Sequence, residues 1–329
     1  MIKKISLLIL IVLITVLAIN RNIFIRLYQD YQSLKLSKNR AEIYRLEGKT
    51  NIKDITEQLI SDKNTPSELK ESLIKGERKI VVFKYLSDNN KVAGYLSYLT
   101  NHKQNPTLIF LRGGNKFFGI MRPNNRFSFL KRFNIVGTLY RGNIYGGKDE
   151  FGGDDVNDVE NLIKFLPQLE QYSKIKLQPP FSMMGVSRGA MEMFLSLNRS
   201  EYVQKVINKA ISVSGNLDLH VSMQHRPDME YLFKRFFKDS PDKDFADWIH
   251  ARNPINNLTN IPKALQVLLV YGLADNRVSL QEQLNFKQAL EKENIDYRLV
   301  TFAGVDHGFD NDYNTLEKEV LKFLESDGK

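Results

Sequence analysis

The sequence of 329 residues contains no cysteine, a single tryptophan and no apolar run as long as the ~20 residues of a typical membrane-spanning helix. The absence of cysteine excludes a disulfide scaffold, a thiolate nucleophile and any zinc or iron–sulfur site with cysteine ligands. The residues present, 42% hydrophobic and 26% charged, are typical of a globular chain with an ample core. A disordered chain, a collagen-like repeat and a multi-span membrane protein are excluded.

The first 25 residues have the pattern of an export segment, in which a short basic stretch precedes an apolar one. Met1–Lys4 carries two lysines, and Ile5–Ile19 is almost wholly apolar. This run is short for a span, but Ile23–Ile25 could lengthen it. We expect residues 1–25 to form an uncleaved membrane anchor, with a cleaved signal as the alternative. The first reading predicts a membrane-anchored, extracytoplasmic protein, and the second predicts a secreted one.

The positive charge is concentrated near the N-terminus. Residues 1–80 carry 15 Lys/Arg and 9 Asp/Glu, whereas the remaining residues carry 32 and 29. The main part of the chain is therefore almost neutral, which argues against a nucleic-acid partner. A basic N-terminal part suits an anionic membrane surface, although an ordinary lysine-rich solvated surface explains it equally well.

Beyond the N-terminal segment, the chain has two parts that differ in their predicted secondary structure. Residues 26–78 are predicted to form a helical stalk or packing segment, because apolar residues such as Ile52 and Leu59 recur at helical spacing. Residues 79–329 alternate strands and helices, which predicts an α/β domain with a mostly parallel sheet and helices on both faces. Two strands joined by a turn at Ser87–Asn90 predict an antiparallel hairpin at the start of this domain.

The alternation gives a specific list of elements. Further strands are predicted at Thr107–Leu111, Asn134–Tyr140, Phe181–Met184, Val206–Val213, Gln266–Tyr271 and Tyr297–Phe302, and helices at Asp155–Leu166, Gly189–Asn198, Leu280–Glu293 and Leu316–Leu324. Residues 216–260 interrupt the pattern. We interpret them as a mostly helical insertion that could cap a site.

One motif carries chemistry by itself. Gly185–Gly189 reads G-x-S-x-G, the nucleophile elbow, in which the central Ser187 occupies a strained turn between a strand and a helix. Any side chain at the two glycines would collide with neighbouring backbone. The turn exposes the serine hydroxyl at the carboxyl end of a strand, where open α/β sheets bind ligands. The alternative is a serine in a plain glycine-rich turn.

A serine hydroxyl needs a base to become a nucleophile. In proteins with this elbow the catalytic residues follow the chain order serine, acid, histidine. Of the five histidines, only His307 lies far enough along the chain to follow both Ser187 and an acid beyond the next strand. Asp275 follows a buried strand and would orient and stabilise the imidazole of His307. Asp306 is the rival acid by proximity. The predicted catalytic residues are therefore Ser187, Asp275 and His307.

Backbone N–H groups must stabilise the oxyanion of an acyl-transfer reaction. One donor is expected from Arg188, directly after the nucleophile. The other is expected from the Arg112-Gly113-Gly114-Asn115 stretch after a predicted strand, with Gly114 and Asn115 as candidates. A plain Gly-Gly turn is the alternative there.

Together these segments resemble the catalytic domain of the prolyl oligopeptidase family of serine peptidases, within the α/β-hydrolase superfamily. The resemblance covers about residues 79–325. It rests on the opening hairpin and three further motifs, namely Tyr140-Arg141-Gly142-Asn143 through Gly152 to Asp154–Asp158, Gly272-Leu273-Ala274-Asp275, and Asp306-His307-Gly308. The elbow departs from the family in having Arg188 and Ala190 where an aromatic residue and a second glycine are common. It implies an α/β-hydrolase fold, a Ser-Asp-His triad and an acyl-enzyme intermediate, with no cofactor and no metal.

Two departures from the family bear on substrate. The family often has His-Gly-Gly where this chain has Arg112-Gly113-Gly114, and residues 20–78 leave no room for the family's β-propeller. The resemblance therefore implies a peptidase, with an esterase on the same fold as the alternative and an acyltransferase or a non-catalytic binding protein as further alternatives. The expected partners are a peptide or ester substrate and a membrane; the sequence does not define an oligomeric state.

Three arginines, Arg112, Arg141 and Arg188, lie in the motifs of the predicted site. If two of them face the pocket, they could bind a substrate carboxylate through paired hydrogen bonds. Internal salt bridges, for Arg141 especially, are the alternative.

Overall fold

The computed structural model describes residues 31–32, 34–35, 38–100, 104–117, 120, 131–239 and 244–326. The predicted membrane anchor at residues 1–25 lies outside them. Within the described part of the chain, no helix has both the length and the apolarity needed to cross a membrane.

A nine-stranded sheet forms the centre of the molecule. Its strands are β1 (Ile52–Asp54), β2 (Arg78–Ser87), β3 (Asn90–Leu99), β4 (Thr107–Leu111), β5 (Asn134–Thr138), β6 (Phe181–Val186), β7 (Ile207–Val213), β8 (Gln266–Gly272) and β9 (Tyr297–Phe302). Their spatial order is β1-β2-β3-β5-β4-β6-β7-β8-β9. Strands β4 to β9 are mutually parallel, whereas β1, β2 and β3 pair antiparallel. This confirms the predicted α/β-hydrolase fold with an antiparallel N-terminal hairpin.

The hairpin forms where the sequence predicts it. Ser87 pairs with Asn90, and the two turn residues Asp88 and Asn89 both have positive φ, at 45° and 63°. Asp and Asn tolerate this conformation, and such a turn matches the right-handed twist of the flanking strands.

Helices cover both faces of the sheet. They are α1 (Thr56–Ser61), α2 (Ser67–Ile74), α3 (Asn157–Ser173), α4 (Arg188–Arg199), α5 (Glu201–Val206), α6 (Leu219–His225), α7 (Pro227–Phe237), α8 (Phe245–His250), α9 (Leu280–Lys292) and α10 (Tyr313–Glu325). Alternate residues of β2 enter opposite cores: Val81 and Phe83 pack in one, and Ile80 and Val82 in the other. The insertion at 216–260 contains α6, α7 and α8, so its predicted helical character is confirmed.

Two sequence predictions about local structure are wrong. Ile52 belongs to strand β1 and not to a helix, because its backbone pairs with Phe83 at the edge of the sheet. Helix α3 continues past Pro167 to Ser173, since Leu169 extends its buried face. In the segment 26–78, Leu59 and other apolar side chains enter the core beside β2, so its described part packs on the sheet. The boundaries proposed for the three parts of the chain stay a prediction.

Candidate active site

Ser187 sits on a sharp turn between β6 and α4. Its backbone has φ 55° and ψ −120°, a strained conformation for a residue with a side chain. The turn is held on both sides by hydrogen bonds: the Ser187 N–H donates to the Val213 carbonyl at 2.9 Å, and the Ser187 carbonyl accepts from the N–H of Ala190 at 3.0 Å. The strain is thus maintained by the surrounding sheet and helix, as in a nucleophile elbow.

The glycines of the motif are required by space. A Cβ on Gly185 would lie 2.4 Å from the backbone of Gly189 and Ala190, and one on Gly189 would lie 2.0 Å from the Leu111 carbonyl oxygen. Real Cβ atoms do not approach backbone that closely. Helix α4 can therefore begin directly behind the serine, against the end of β4, only with glycine at both positions.

Asp275 and His307 come from two different loops and meet side by side. His307 Nδ1 lies 2.7 Å from Asp275 Oδ2. The other carboxylate oxygen, Oδ1, accepts from the N–H groups of Arg277 and Val278 at 2.7 and 3.0 Å. The carboxylate is fully buried, while the imidazole keeps 17% of its surface exposed. His307 is therefore held at Nδ1 by Asp275 while its ring stays partly open to solvent.

The pKa of Asp275 fits an ionised orienting acid. Burial acts to raise it, but the hydrogen bond and charge of His307, together with the N–H groups of Val278 and Arg277, outweigh burial and hold the pKa of Asp275 below its ordinary value. The carboxylate thus stays charged at neutral pH and can stabilise an imidazolium.

Backbone pairing brings the two loops together. The N–H groups of Leu273 and Ala274 donate to the carbonyls of Phe302 and Val305 at 2.8 and 2.9 Å. Gly272 permits this approach, because a Cβ there would lie 2.3 Å from the Val305 oxygen. Asp306, the rival acid, instead accepts the N–H of Asp310 within its own loop at 3.0 Å.

The Ser187 hydroxyl has a different partner from the one the sequence predicts. It donates to Asn216 Oδ1 at 3.3 Å, and among the described residues no hydrogen bond joins it to His307. Asn216, just after β7, also donates its N–H to the Ser187 carbonyl at 3.2 Å. Catalytic hydrogen bonds are often long or misaligned without substrate, so the catalytic contact with His307 stays a prediction.

The predicted oxyanion donors lie next to the serine. Arg188 is the first residue of α4, so its N–H has no partner within the helix. A Cβ on Gly113 would lie 3.1 Å from the Ser187 Cβ, which places the loop after β4 against the nucleophile. In that loop Gly114 has φ 75°, and Asn115 Oδ1 is buried without a hydrogen-bond partner among the described residues.

All three arginines are buried within the described part of the chain, and the hypothesis that two of them bind a substrate carboxylate is wrong. Arg141 forms a buried ion pair with Asp158 at 2.7 Å. Arg112 donates to main-chain carbonyls, and Arg188 is buried among carboxylates. Internal salt bridges, the alternative, are therefore confirmed for Arg141 and Arg188, whereas Arg112 is held by main-chain carbonyls.

Sequence reasoning missed several contributors to the site. Asn216 could have been found from its position, because it follows directly after the carboxyl end of a parallel strand, where ligand sites of open sheets lie. Glu192 lies four residues after Arg188, the spacing of a helical ion pair, whereas Asp149 and Asp155 carry no such signal because they come from a separate segment and meet Arg188 only in the folded chain.

The fold and the elbow define the α/β-hydrolase class. A sequence profile of the prolyl oligopeptidase family matches residues 133–327, so the chain belongs to that family. Fold and family together make it a peptidase-like serine hydrolase.

The chain is 27% identical over 211 residues to the uncharacterized peptidase YtmA of Bacillus subtilis, covering 63% of this chain and 78% of that protein. Its fold matches the acylaminoacyl peptidase of Pyrococcus horikoshii, with a TM-score of 0.61 and 20% identity. That match covers 75% of this chain but only 41% of the peptidase. The Pyrococcus furiosus esterase Pf2001 matches with a TM-score of 0.55 and 17% identity over 74% of this chain and 88% of the esterase.

Proposed function

We propose that this protein hydrolyses acyl bonds through a catalytic triad of Ser187, Asp275 and His307. The single observation that carries the proposal is the 2.7 Å contact between His307 Nδ1 and Asp275 Oδ2, in a fold that also presents Ser187 on a strained elbow. The acid fixes the tautomer of the imidazole, so that Nε2 can accept a proton.

The reaction follows from these roles. His307 Nε2 removes the proton of the Ser187 hydroxyl as its oxygen attacks the substrate carbonyl carbon, and the carbonyl electrons move onto the oxygen. The N–H of Arg188 and one from Gly114 or Asn115 stabilise this oxyanion. The leaving group departs with the proton from His307, and an acyl-enzyme remains. Water, activated by the same histidine, then releases the acid and restores the serine.

The proposed substrates are peptides or N-acylated aminoacyl compounds. Family membership supports this choice, as does the fold shared with an acylaminoacyl peptidase. The test uses two substrates with the same acyl part, an N-acetyl-aminoacyl p-nitroanilide and the matching p-nitrophenyl ester. Hydrolysis of both, lost in Ser187→Ala, is the expected result. Turnover of the ester alone would reject the peptidase assignment and keep the hydrolase.

An esterase is the second candidate, and one comparison favours it. The match covers 88% of the esterase but only 41% of the peptidase, so more than half of the peptidase has no counterpart in the matched region. An esterase would hydrolyse short-chain acyl esters and leave anilides of the same acyl group intact.

For location we propose a membrane-anchored protein facing away from the cytoplasm, on the basis of the basic-then-apolar pattern of residues 1–25. Fractionation of cells that express the full chain, with protease added from outside, tests this. Without protease, we expect the intact chain in the membrane fraction. With protease added to whole cells, we expect the chain to be digested. Recovery in the cytosol would contradict the proposal.

A further inference from the structure

Two arginines hold consecutive carbonyl groups of the loop that follows β4. Arg112 Nη1 donates to the Gly113 carbonyl at 2.9 Å, and Arg188 Nη1 donates to the Gly114 carbonyl at 3.1 Å. Arg112 Nη2 also holds the Lys116 carbonyl at 2.8 Å. The loop that contacts the nucleophile is thus fixed through its carbonyl oxygens by buried guanidinium groups.

These bonds determine where the N–H groups of the loop point. In a trans peptide unit the C=O and the N–H point in opposite directions. The Gly113 carbonyl shares its peptide unit with the N–H of Gly114, and the Gly114 carbonyl shares its unit with the N–H of Asn115. Because each carbonyl points toward one arginine, the N–H of the same peptide unit points away from that arginine. Backbone N–H groups oriented in this way can contribute to a site for an anionic oxygen.

The Arg188 guanidinium is itself rigidly held. It contacts Asp149 at 2.9 Å and Glu192 at 2.8 Å, it also pairs with Asp155, and it is fully buried. Its carbon lies 4.7 Å from the centre of the Tyr140 ring and 4.8 Å from that of Phe151.

The number of acidic groups around this guanidinium has an electrostatic consequence. Burial and the charge of Asp155 raise the pKa of the Glu192 carboxyl well above its ordinary value, although Arg188 opposes this. The cluster is thus a closed network with no exposed guanidinium, and it joins the elbow to the loop after β4.

We propose that Arg112 and Arg188 are positioning residues of the oxyanion hole. In this assignment, which rests on the proposed function, the backbone N–H of Arg188 is one donor, and its side chain orients the peptide unit that supplies the other. One residue thereby couples the two halves of the hole, and Arg112 fixes the adjoining peptide unit. Neither guanidinium touches the substrate.

The assignment requires arginine and not merely a positive charge. Each guanidinium reaches several acceptors in a planar fork: Arg188 contacts three carboxylates and one carbonyl, and Arg112 contacts three carbonyls. A lysine ammonium is a compact point charge and cannot match that geometry. Lysine variants therefore keep the charge and release the loop carbonyls.

The test compares Arg188→Lys and Arg112→Lys with a matched control, Arg199→Lys. Arg199, in the last turn of α4, also donates to main-chain carbonyls, those of Gly152, Gly153 and Ala251, but these lie outside the oxyanion loop. For each variant, kcat and KM are measured on a p-nitrophenyl ester. Inhibition constants are measured for a trifluoromethyl ketone, whose adduct places an oxyanion in the hole, and for the carboxylic acid product.

We expect kcat of both site variants to fall about 10- to 100-fold, less than the 10²- to 10³-fold that complete loss of a donor costs. KM and product affinity should change less than about 3-fold, and affinity for the trifluoromethyl ketone should fall in parallel with kcat. The Arg199→Lys variant should match the wild type in all four quantities. A general structural defect would instead weaken ketone and product alike.

Folding is checked by thermal unfolding, and if Arg188→Lys does not fold, Arg112→Lys decides the question. Folded site variants with wild-type kcat and wild-type ketone affinity would overturn the positioning role. A wild type that hydrolyses no ester and binds no trifluoromethyl ketone would overturn the proposed function itself. The two failures are therefore distinguishable.

Discussion

The two ends of the six parallel strands differ in backbone conformation. At the carboxyl end, Tyr140, Ser187 and Ser214 follow closely after their strands with φ of 59°, 55° and 48°. In the connections that lead back to the amino end, Lys174 and Asn294 also have positive φ, but Lys174 directly follows α3 and Asn294 lies two residues after the end of α9. The left-handed conformation is a common way to end a helix, whereas strain directly after a strand needs support from the surrounding fold.

The ion pairs of the two ends also differ in their exposure. At the carboxyl end Asp275 and Arg188 are fully buried and bonded on several sides. At the amino end Arg132 pairs with Glu325 at 2.6 Å, with side-chain exposures of 74% and 44%, beside an open groove lined in part by Phe133 and Pro180. The comparison indicates that strained backbone and buried ion pairs lie where the chemistry is proposed. The amino end also buries two cations, Arg78 and Lys209, but these donate to neutral groups such as the Phe133 and Phe323 carbonyls.

The largest expected effect separates the two candidate acids of the carboxyl end. Asp275→Asn should lower kcat on the order of 10⁴-fold, because an amide beside Nδ1 no longer fixes the required tautomer. Asp306→Asn should change kcat by less than about 3-fold, since Asp306 bonds within its own loop. Steady-state kinetics on one ester substrate checks both. Equal losses in the two variants would contradict the assignment of the acid.

A smaller effect is expected when a side chain is introduced at Gly189, where α4 packs closely against the end of β4. Gly189→Ala places a Cβ 2.0 Å from the Leu111 oxygen, so it should destabilise the fold by about 3 kcal/mol and displace the elbow. Gly146→Ala is the matched control, because nothing lies within 4 Å of its Cβ position. Denaturant unfolding of both variants measures the difference. A Gly189→Ala variant as stable as the control would refute the steric account.

A buried carboxyl at the carboxyl end should make stability depend on pH. Burial raises the pKa of Glu282 to about 8, against hydrogen bonds from Ser222 and from the N–H groups of Ser279 and Leu217. The folded state thus binds the proton more readily than the unfolded state. Stability should fall as pH rises from about 5 to about 8, by at most ~1.4 kcal/mol per unit, and level off above that range.

Glu282→Gln isolates this contribution. The amide keeps the size of the side chain and cannot ionise, so the decrease in Tm between pH 6 and pH 8 should be smaller than in the wild type, by a few °C. Scanning calorimetry at three pH values gives the difference. An identical pH dependence in the two proteins would show that Glu282 does not titrate in this range.

The smallest effect is expected at the amino end. Arg132→Ala removes an exposed ion pair and should cost less than about 1 kcal/mol, with unchanged kcat and KM. Thermal unfolding and kinetics test this together. A large loss of activity here would break the distinction between the two ends.

Much of the fold could be predicted from the sequence, because strand–helix alternation and turn residues act locally. Strands β4 and β9 begin and end where their apolar runs predict. Strand β1 was missed because Ile52–Asp54 has no strand pattern of its own; it forms only by pairing with β2. The alternation of strands and helices can be recognised in short segments, whereas the pairing of a strand with a distant neighbour cannot.

In the candidate site, too, some residues could be predicted from local sequence and others could not. Gly185–Gly189 could be recognised because steric limits restrict the elbow to glycine at both ends, and Asp275 and His307 because chain order restricts the choice. Among the partners of Arg188, Glu192 has the i, i+4 spacing of a helical ion pair, whereas Asp149 lies 39 residues away along the chain and could not be predicted. The contacts of an ion network that join separate segments depend on tertiary packing and follow no spacing rule.

Fluorophosphonate labelling of the purified protein, beside Ser187→Ala, tests the central claim most directly. The reagent reacts covalently with a serine only where a base activates its hydroxyl. We predict that the wild type is labelled at Ser187 and that Ser187→Ala, folded to the same extent, is not. A well-folded wild type that is never labelled, or a variant labelled as fast as the wild type, would contradict the account and favour a binding protein built on a hydrolase fold.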